Sequence, residues 1–304
     1  MTEGTKGILA MVIACVTWGL SPIYYAMLKH VPPFEVLCYR ALWSLAFFAG
    51  ILLLQGRLRE IATALKSPKR FMIVTAAAVL ISVNWFGYIY AISTAQGVEA
   101  SLGYYIFPIV AVVLGRVVFG ERLDRLQWLA VALVTGAVVV LTAGLGVAPW
   151  IALVLAVTFG FYGVIKKQLD LGPVVSVTAE VLILSPIAIG WIVVAGTGAG
   201  GGNDIKTHVL LALSGPLTAT PLILLSYAAR RARLSTLGLV QYLNPSLQFF
   251  CAVVIFAEPF TRWHGIAFAI IWAALALYSV ASLRQDRAAR KRASSVGTSG
   301  TTVA

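Results

Sequence analysis

Residues 99–110 read EASLGYYIFPIV, and residues 235–250 read STLGLVQYLNPSLQFF. Each stretch is an apolar helix pattern carrying a proline, Pro108 in the first and Pro245 in the second. An interior proline removes a backbone donor and clashes with the preceding turn, at a cost of roughly 3 kcal/mol. Two such prolines in matching places call for a common explanation.

Composition sets the solvent. The chain has 304 residues, of which 60% are hydrophobic and 11% charged, with a mean hydropathy of +0.91. A soluble domain carries about a quarter charged residues, so this chain has too few to cover a water-facing surface. Uncharged runs at 7–28, 71–98, 207–229, 234–257 and 263–283 match the ~20 residues that cross a ~30 Å hydrocarbon core. The stretch 126–165 is also uncharged and would measure about 60 Å as one helix. It must therefore be two helices, divided at Gly144-Leu145-Gly146-Val147-Ala148-Pro149. The expectation is an all-α, polytopic membrane protein of ten transmembrane helices. Its spans 1 to 10 fall near 7–28, 34–54, 71–94, 98–116, 126–143, 149–166, 174–195, 208–229, 235–256 and 263–283. The first is too long for the apolar segment of a cleaved leader.

All but Lys29, Arg40, Lys206 and Arg262 of the 23 Lys and Arg fall on one side of this arrangement. The positive-inside rule makes that side cytoplasmic, with both termini on it. The net charge of +12 is then a topology signal, and its scatter over short loops argues against nucleic-acid binding. Cys15, Cys38 and Cys251 lie singly in apolar spans, so no disulfide frame, metal site or cofactor is expected. From 284 onward the composition, basic and then rich in small polar residues, predicts a disordered cytoplasmic tail, 284–304.

The matching prolines belong to a longer correspondence. Trp18-Gly19 aligns with Phe159-Gly160, Pro32 with Pro173 and Ser44 with Ser185. Further on, Tyr90-Ala91 aligns with Tyr227-Ala228, Pro108 with Pro245, and Glu121 with Glu258. Residues 5–146 and 147–283 thus read as two five-helix repeats, and an odd number of spans inverts one relative to the other. Inverted repeats are a mark of secondary transporters, which bind solute at the midplane beside proline- or glycine-interrupted helices. Pro108 and Pro245 each lie about ten residues into their spans, near ~15 Å depth, and are hinge candidates.

Thr17-Trp18-Gly19-Leu20-Ser21-Pro22, Asn84-Trp85, residues 99–104 (EASLGY), Gly120-Glu121-Arg122 with Gln127-Trp128, Phe161-Tyr162-Gly163, and residues 234–238 (LSTLG) with Gln241-Tyr242 resemble the RarD branch of the EamA group. That group belongs to the drug/metabolite transporter superfamily. The resemblance covers about 5–284 and implies a ten-helix bacterial inner-membrane permease from a branch associated with chloramphenicol sensitivity. It also implies that spans 5 and 10 are peripheral. The superfamily's small relatives use a span 1 carboxylate to couple drugs to protons. Span 1 has none here, so that mechanism does not carry over.

Ionisable groups inside a bilayer cost roughly 2.5–3.5 kcal/mol or more and default to functional candidates. Arg40, Glu99 and Glu180 are the gating or coupling candidates. Arg40 and Glu99 sit at similar depth near the outer side and are expected to pair. Glu180 could exchange protons, the candidate coupling ion, or bind a cationic solute; it could equally be a structural acid meeting Lys167 or Arg233. Gln241, Asn244 and Gln248 share one helical stripe. With Asn84, Trp85, Tyr88, Trp18, Tyr104, Tyr105 and Tyr242 they are the cavity candidates, suited to a moderately polar organic solute with a planar or cationic part. The alternative for the amides is interhelical hydrogen bonding. Trp43, Trp150 and Trp191 fit an aromatic belt. Residues 116–125 are expected to order a loop through surface ion pairs.

The expected function is secondary-active transport of a small metabolite or drug-like solute, by a monomer or homodimer in the lipid bilayer. A passive channel and an intramembrane enzyme are the alternatives. No GxxxxGK[ST] occurs, His30, His208 and His264 are scattered, and the acids are isolated.

Overall fold

The computed structural model describes residues 2–120, 123–195, 204–232 and 234–298. The described chain is helical: α1 (Glu3–Gly19), α2 (Ser21–Ala26), α3 (Pro33–Leu54), α4 (Arg59–Leu65), α5 (Pro68–Ser93), α6 (Gly97–Phe119), α7 (Arg125–Leu145), α8 (Trp150–Gln168), α9 (Pro173–Ala195), α10 (Ile205–Ala229), α11 (Leu234–Gln241), α12 (Leu243–Phe250) and α13 (Arg262–Thr298). Among the described residues, ten spans are long and apolar enough to cross a membrane. α1 and α2 form span 1, α11 and α12 form span 9, and the short α4 lies among the basic residues between spans 2 and 3.

Local chemistry sets the breaks. Pro22 has no N–H to offer the Trp18 carbonyl, and the Ser21 hydroxyl donates to that oxygen instead, at 2.6 Å. The two aligned prolines are not equivalent. Pro108 lies inside the continuous α6, whereas Pro245 sits in the first turn of α12, just past the break at Tyr242. A first-turn proline forfeits no intrahelical donor. A single π-turn, Cys251–Ile255, then closes span 9. Asp124 and Gln127 form a reciprocal capping box at the start of α7. Its neighbours Glu121 and Arg122, central to the expected loop cluster, lie outside the described residues.

Two expectations change. α13 does not stop with the span but continues through Thr298. The first part of the 284–304 tail is therefore helical rather than disordered, which suits its Ala- and Arg-rich sequence. Span 10, moreover, is not wholly peripheral, because Tyr278 and Ser279 reach the central cavity.

Packing places that cavity. Span 1 packs on spans 8 and 9; span 6 packs on spans 3 and 4; span 2 packs on span 7, span 4 on span 9, and span 5 on span 10. Gly103 allows spans 4 and 6 to touch, since a Cβ there would stand 2.8 Å from the Ala152 carbonyl oxygen and 3.0 Å from Leu155 Cβ. Trp43, Trp150 and Trp191 are exposed on the outside, where a lipid-facing aromatic belongs.

Candidate functional site

A cavity of about 650 Å³ lies between the two halves of the chain. Spans 1 to 4 supply Trp18, Ser21, Tyr25, Arg40, Asn84, Trp85, Tyr88, Tyr104 and Pro108; spans 6 to 10 supply Phe159, Tyr162, Lys166, Thr218, Gln241, Tyr242, Asn244, Pro245 and Gln248, among others. Span 5 contributes no lining residue.

The cavity reaches toward one end of the bundle. Lys166 near the end of α8, Pro173 at the start of α9 and Gly238 in α11 all line it, and this is the end that carries the basic loops. At the opposite end, the loop after the π-turn folds against the start of α6. Glu258 accepts from Gly97 N–H at 3.0 Å and from Val98 N–H at 2.9 Å. A carboxylate is the natural partner of the free N–H groups and positive pole of a helix start.

Arg40 projects from α3 into the cavity wall, 7% exposed. Its Nε donates to Thr218 Oγ1 at 3.1 Å. The guanidinium carbon lies 4.1 Å from the Trp85 ring centroid and 5.8 Å from that of Tyr25. The expected Arg40–Glu99 pair does not form. Glu99, in the first turn of α6, faces the Ile151 backbone at the start of α8, with its Oε2 buried and without a partner. Expected depth did not bring the two together, because spans 2 and 4 do not pack on one another: span 2 lies on spans 7, 8 and 3, and span 4 on spans 6 and 9.

Glu180 also stands outside the lining, one layer behind it. Its Oε1 lies 2.6 Å from Lys166 Nζ and accepts from Ser176 Oγ at 2.9 Å; its Oε2 accepts from Tyr162 OH at 3.0 Å. Lys166 also contacts Ser176 Oγ. The partner is thus Lys166 and not Lys167, whose ammonium sits 4.3 Å from the Phe119 ring centroid; Arg233 lies outside the described residues.

Several amides and hydroxyls are already engaged. Asn84 Nδ2 donates to the Leu155 carbonyl at 2.9 Å and to Thr158 Oγ1 at 3.1 Å, and Tyr104 OH donates to Asn84 Oδ1 at 3.1 Å. Asn84 lines the cavity but ties spans 3, 4 and 6 together. Tyr88 OH lies 2.9 Å from Ser21 Oγ. Gln248 Nε2 donates to Asn244 Oδ1 at 3.0 Å, while Gln248 Oε1 is buried without a partner. Tyr105 turns away from the central cavity, its OH 2.6 Å from Ser246 Oγ and its ring packed edge-on against Phe268 and Trp272.

Sequence reasoning missed Tyr25, Thr218, Lys166, Tyr162 and Glu258. Two of these left a readable trace: Tyr162 and Lys166 are one helical turn apart, across a short connection from Glu180.

Among known proteins, residues 5–143 match the EamA-like transporter family. Protein RarD of Streptomyces exfoliatus is 43% identical over 282 residues, covering 90% of this chain and 88% of that one. The chain belongs to the EamA-like transporter family, in its RarD branch. An uncharacterized transporter of Vibrio cholerae is 37% identical over 292 residues, covering 95% of this chain and 97% of its own. A protein crystal structure at 19% identity superposes with a TM-score of 0.60, over 92% of this chain and 99% of that chain, and shares the fold. This RarD-branch protein is a membrane transporter of the multi-pass, inner-membrane type.

Proposed function

We propose that this transporter is a secondary carrier that moves a small organic solute by alternating access, with 5–146 and 147–283 acting as inverted repeats about the central cavity. The cavity itself carries the reading. It is walled by both halves, has the size of small-molecule sites, which run to roughly 300–1,000 Å³, and has Pro108 and Pro245 in its wall. The packing supports the two-fold relation: exchanging each span with the one five places on turns the contacts of span 1 with 8 and 9 into those of span 6 with 3 and 4. Spans 2 with 7, 4 with 9, and 5 with 10 map onto themselves.

With the basic end in the cytoplasm, this conformer is open inward and latched outward by Glu258. Spans 4 and 9 are the moving pair and the prolines their hinges. The Lys166–Glu180 pair is the candidate coupling element, placed where a solute or proton arriving from the cytoplasm would meet it. Reconstitution in proteoliposomes tests the carrier reading with labelled chloramphenicol as first solute. Saturable flux accelerated by unlabelled solute on the far side supports it; linear flux without exchange makes the protein a pore.

A further inference from the structure

The charges in the cavity do not balance, and the imbalance has a location. Among the described residues, two cationic side chains line it, Arg40 and Lys166, and no carboxylate does. Lys166 is neutralised from behind by Glu180. Arg40 has no acid among the described residues within ion-pair distance. Its one hydrogen bond runs from Nε to Thr218, and its remaining contacts are the faces of Trp85 and Tyr25. The terminal nitrogens Nη1 and Nη2 have no hydrogen-bond acceptor among the described residues, although the residue as a whole is buried at 7% exposure.

A guanidinium carries all its donors in its plane. With Nε committed to Thr218, the edge left open is the paired Nη1/Nη2 side, which matches two oxygens of one planar or tetrahedral anion. Aromatic faces hold the cation in place without cancelling its charge, so an entering anion meets an undiminished positive site inside a low-dielectric wall. Trp85 and Tyr25 lie against the guanidinium, and Tyr88 and Tyr104 line the same cavity, with Tyr25 and Tyr104 each edge-on to Tyr88.

We propose that Arg40 is an anion-binding residue of the central cavity and that the transported solute is an organic anion, a carboxylate or phosphate joined to an apolar, preferably planar, body. This reverses the cationic preference that the aromatic residues alone suggest. The inference rests on the carrier reading only for the solute's being transported; anion binding at Arg40 is measurable without it.

Purified full-length protein is titrated with four near-isosteres: benzoate, phenyl phosphate, benzamide and benzylamine. The expected result is that one or both anions bind about tenfold or more tightly than the neutral and cationic compounds. Arg40→Gln should abolish that preference, Arg40→Lys should keep part of it, and benzamide binding should not change. Equal binding of all four compounds, no binding of either anion at millimolar concentration, or an anion preference that survives Arg40→Gln overturns the proposal. The last outcome would assign the anions to the basic loops. Should Arg40→Gln not fold, the wild-type ranking and Thr218→Val, which frees Nε and should shift anion affinity selectively, decide the matter. Anion binding without flux in proteoliposomes would refute transport and leave the site standing. Saturable flux of benzamide but not of the anions would support the carrier and refute the anionic solute.

Discussion

The carboxylate of Glu258 holds the backbone N–H groups of Gly97 and Val98, so the loop after span 9 is bonded to the first turn of span 4. Both ends of the contact are specialised. Ala257 adopts a positive φ of 51° to turn the chain, and a Cβ on Gly97 would stand 2.9 Å from Glu258 Oε1. Glu258→Ala leaves two N–H groups without their charged partner, an expected loss of about 1–3 kcal/mol. Glu258→Gln, which keeps one acceptor oxygen, should lose less. Thermal unfolding in detergent checks the order. If the contact is the outer latch, the same variants also admit impermeant reagents to the cavity from outside.

Lys166 and Glu180 form an ion pair whose acid side chain is 1% exposed and whose base is 21% exposed. Removing one partner strands a buried charge, so Lys166→Met or Glu180→Gln alone should destabilise by about 3–5 kcal/mol. The double variant should recover much of that loss. A double-mutant cycle on melting temperature measures the coupling. Additive losses would contradict the pair.

Arg40 and Glu99 share no hydrogen bond or ion pair. The variants Arg40→Ala and Glu99→Ala should therefore combine additively, within roughly 0.3–0.5 kcal/mol. Strong coupling between them would restore the pairing expected from depth alone.

Asp204 caps α10, accepting from the Thr207 hydroxyl and from the Lys206 and Thr207 backbone N–H groups. The Thr207 hydroxyl first, and then the Lys206 amide, hold its carboxyl below the ordinary value. A depressed carboxyl stabilises the fold above its unfolded-state value, near 3.9, and loses that contribution as pH falls through the folded value. Wild type should then melt above Asp204→Asn at neutral pH, with the gap closing below about pH 4. Parallel melting curves down to pH 3 would contradict the cap.

How much was legible follows from what a membrane does to sequence patterns. Span number was readable because length and hydropathy report a membrane crossing directly. Helix rotation was not. Spans here are apolar nearly all round, so no polar stripe marks the buried face, and lipid is as apolar as a neighbouring helix. Depth therefore paired Arg40 with Glu99, while the packing of span 2 on spans 3 and 8 rather than span 4 gives Arg40 to Trp85 and Thr218. The same blindness chose Lys167 over Lys166, a difference of one residue and about 100° on the helix. The amide stripe of Gln241, Asn244 and Gln248 survived because its three members share one face, and all three line the cavity. Tyr25 and Thr218 had no distinguishing pattern.

Alternating access is most directly tested at Ala111, a cavity-lining residue of span 4 beyond Pro108. The native Cys15, Cys38 and Cys251 are buried, so an impermeant maleimide should read a cysteine placed at Ala111 against a quiet background. Oriented membranes are labelled from each side, with and without a transported solute. The carrier account predicts labelling from the basic-loop side at rest and a solute-driven shift toward the other side. Equal labelling from both sides at once, unmoved by solute, would contradict it.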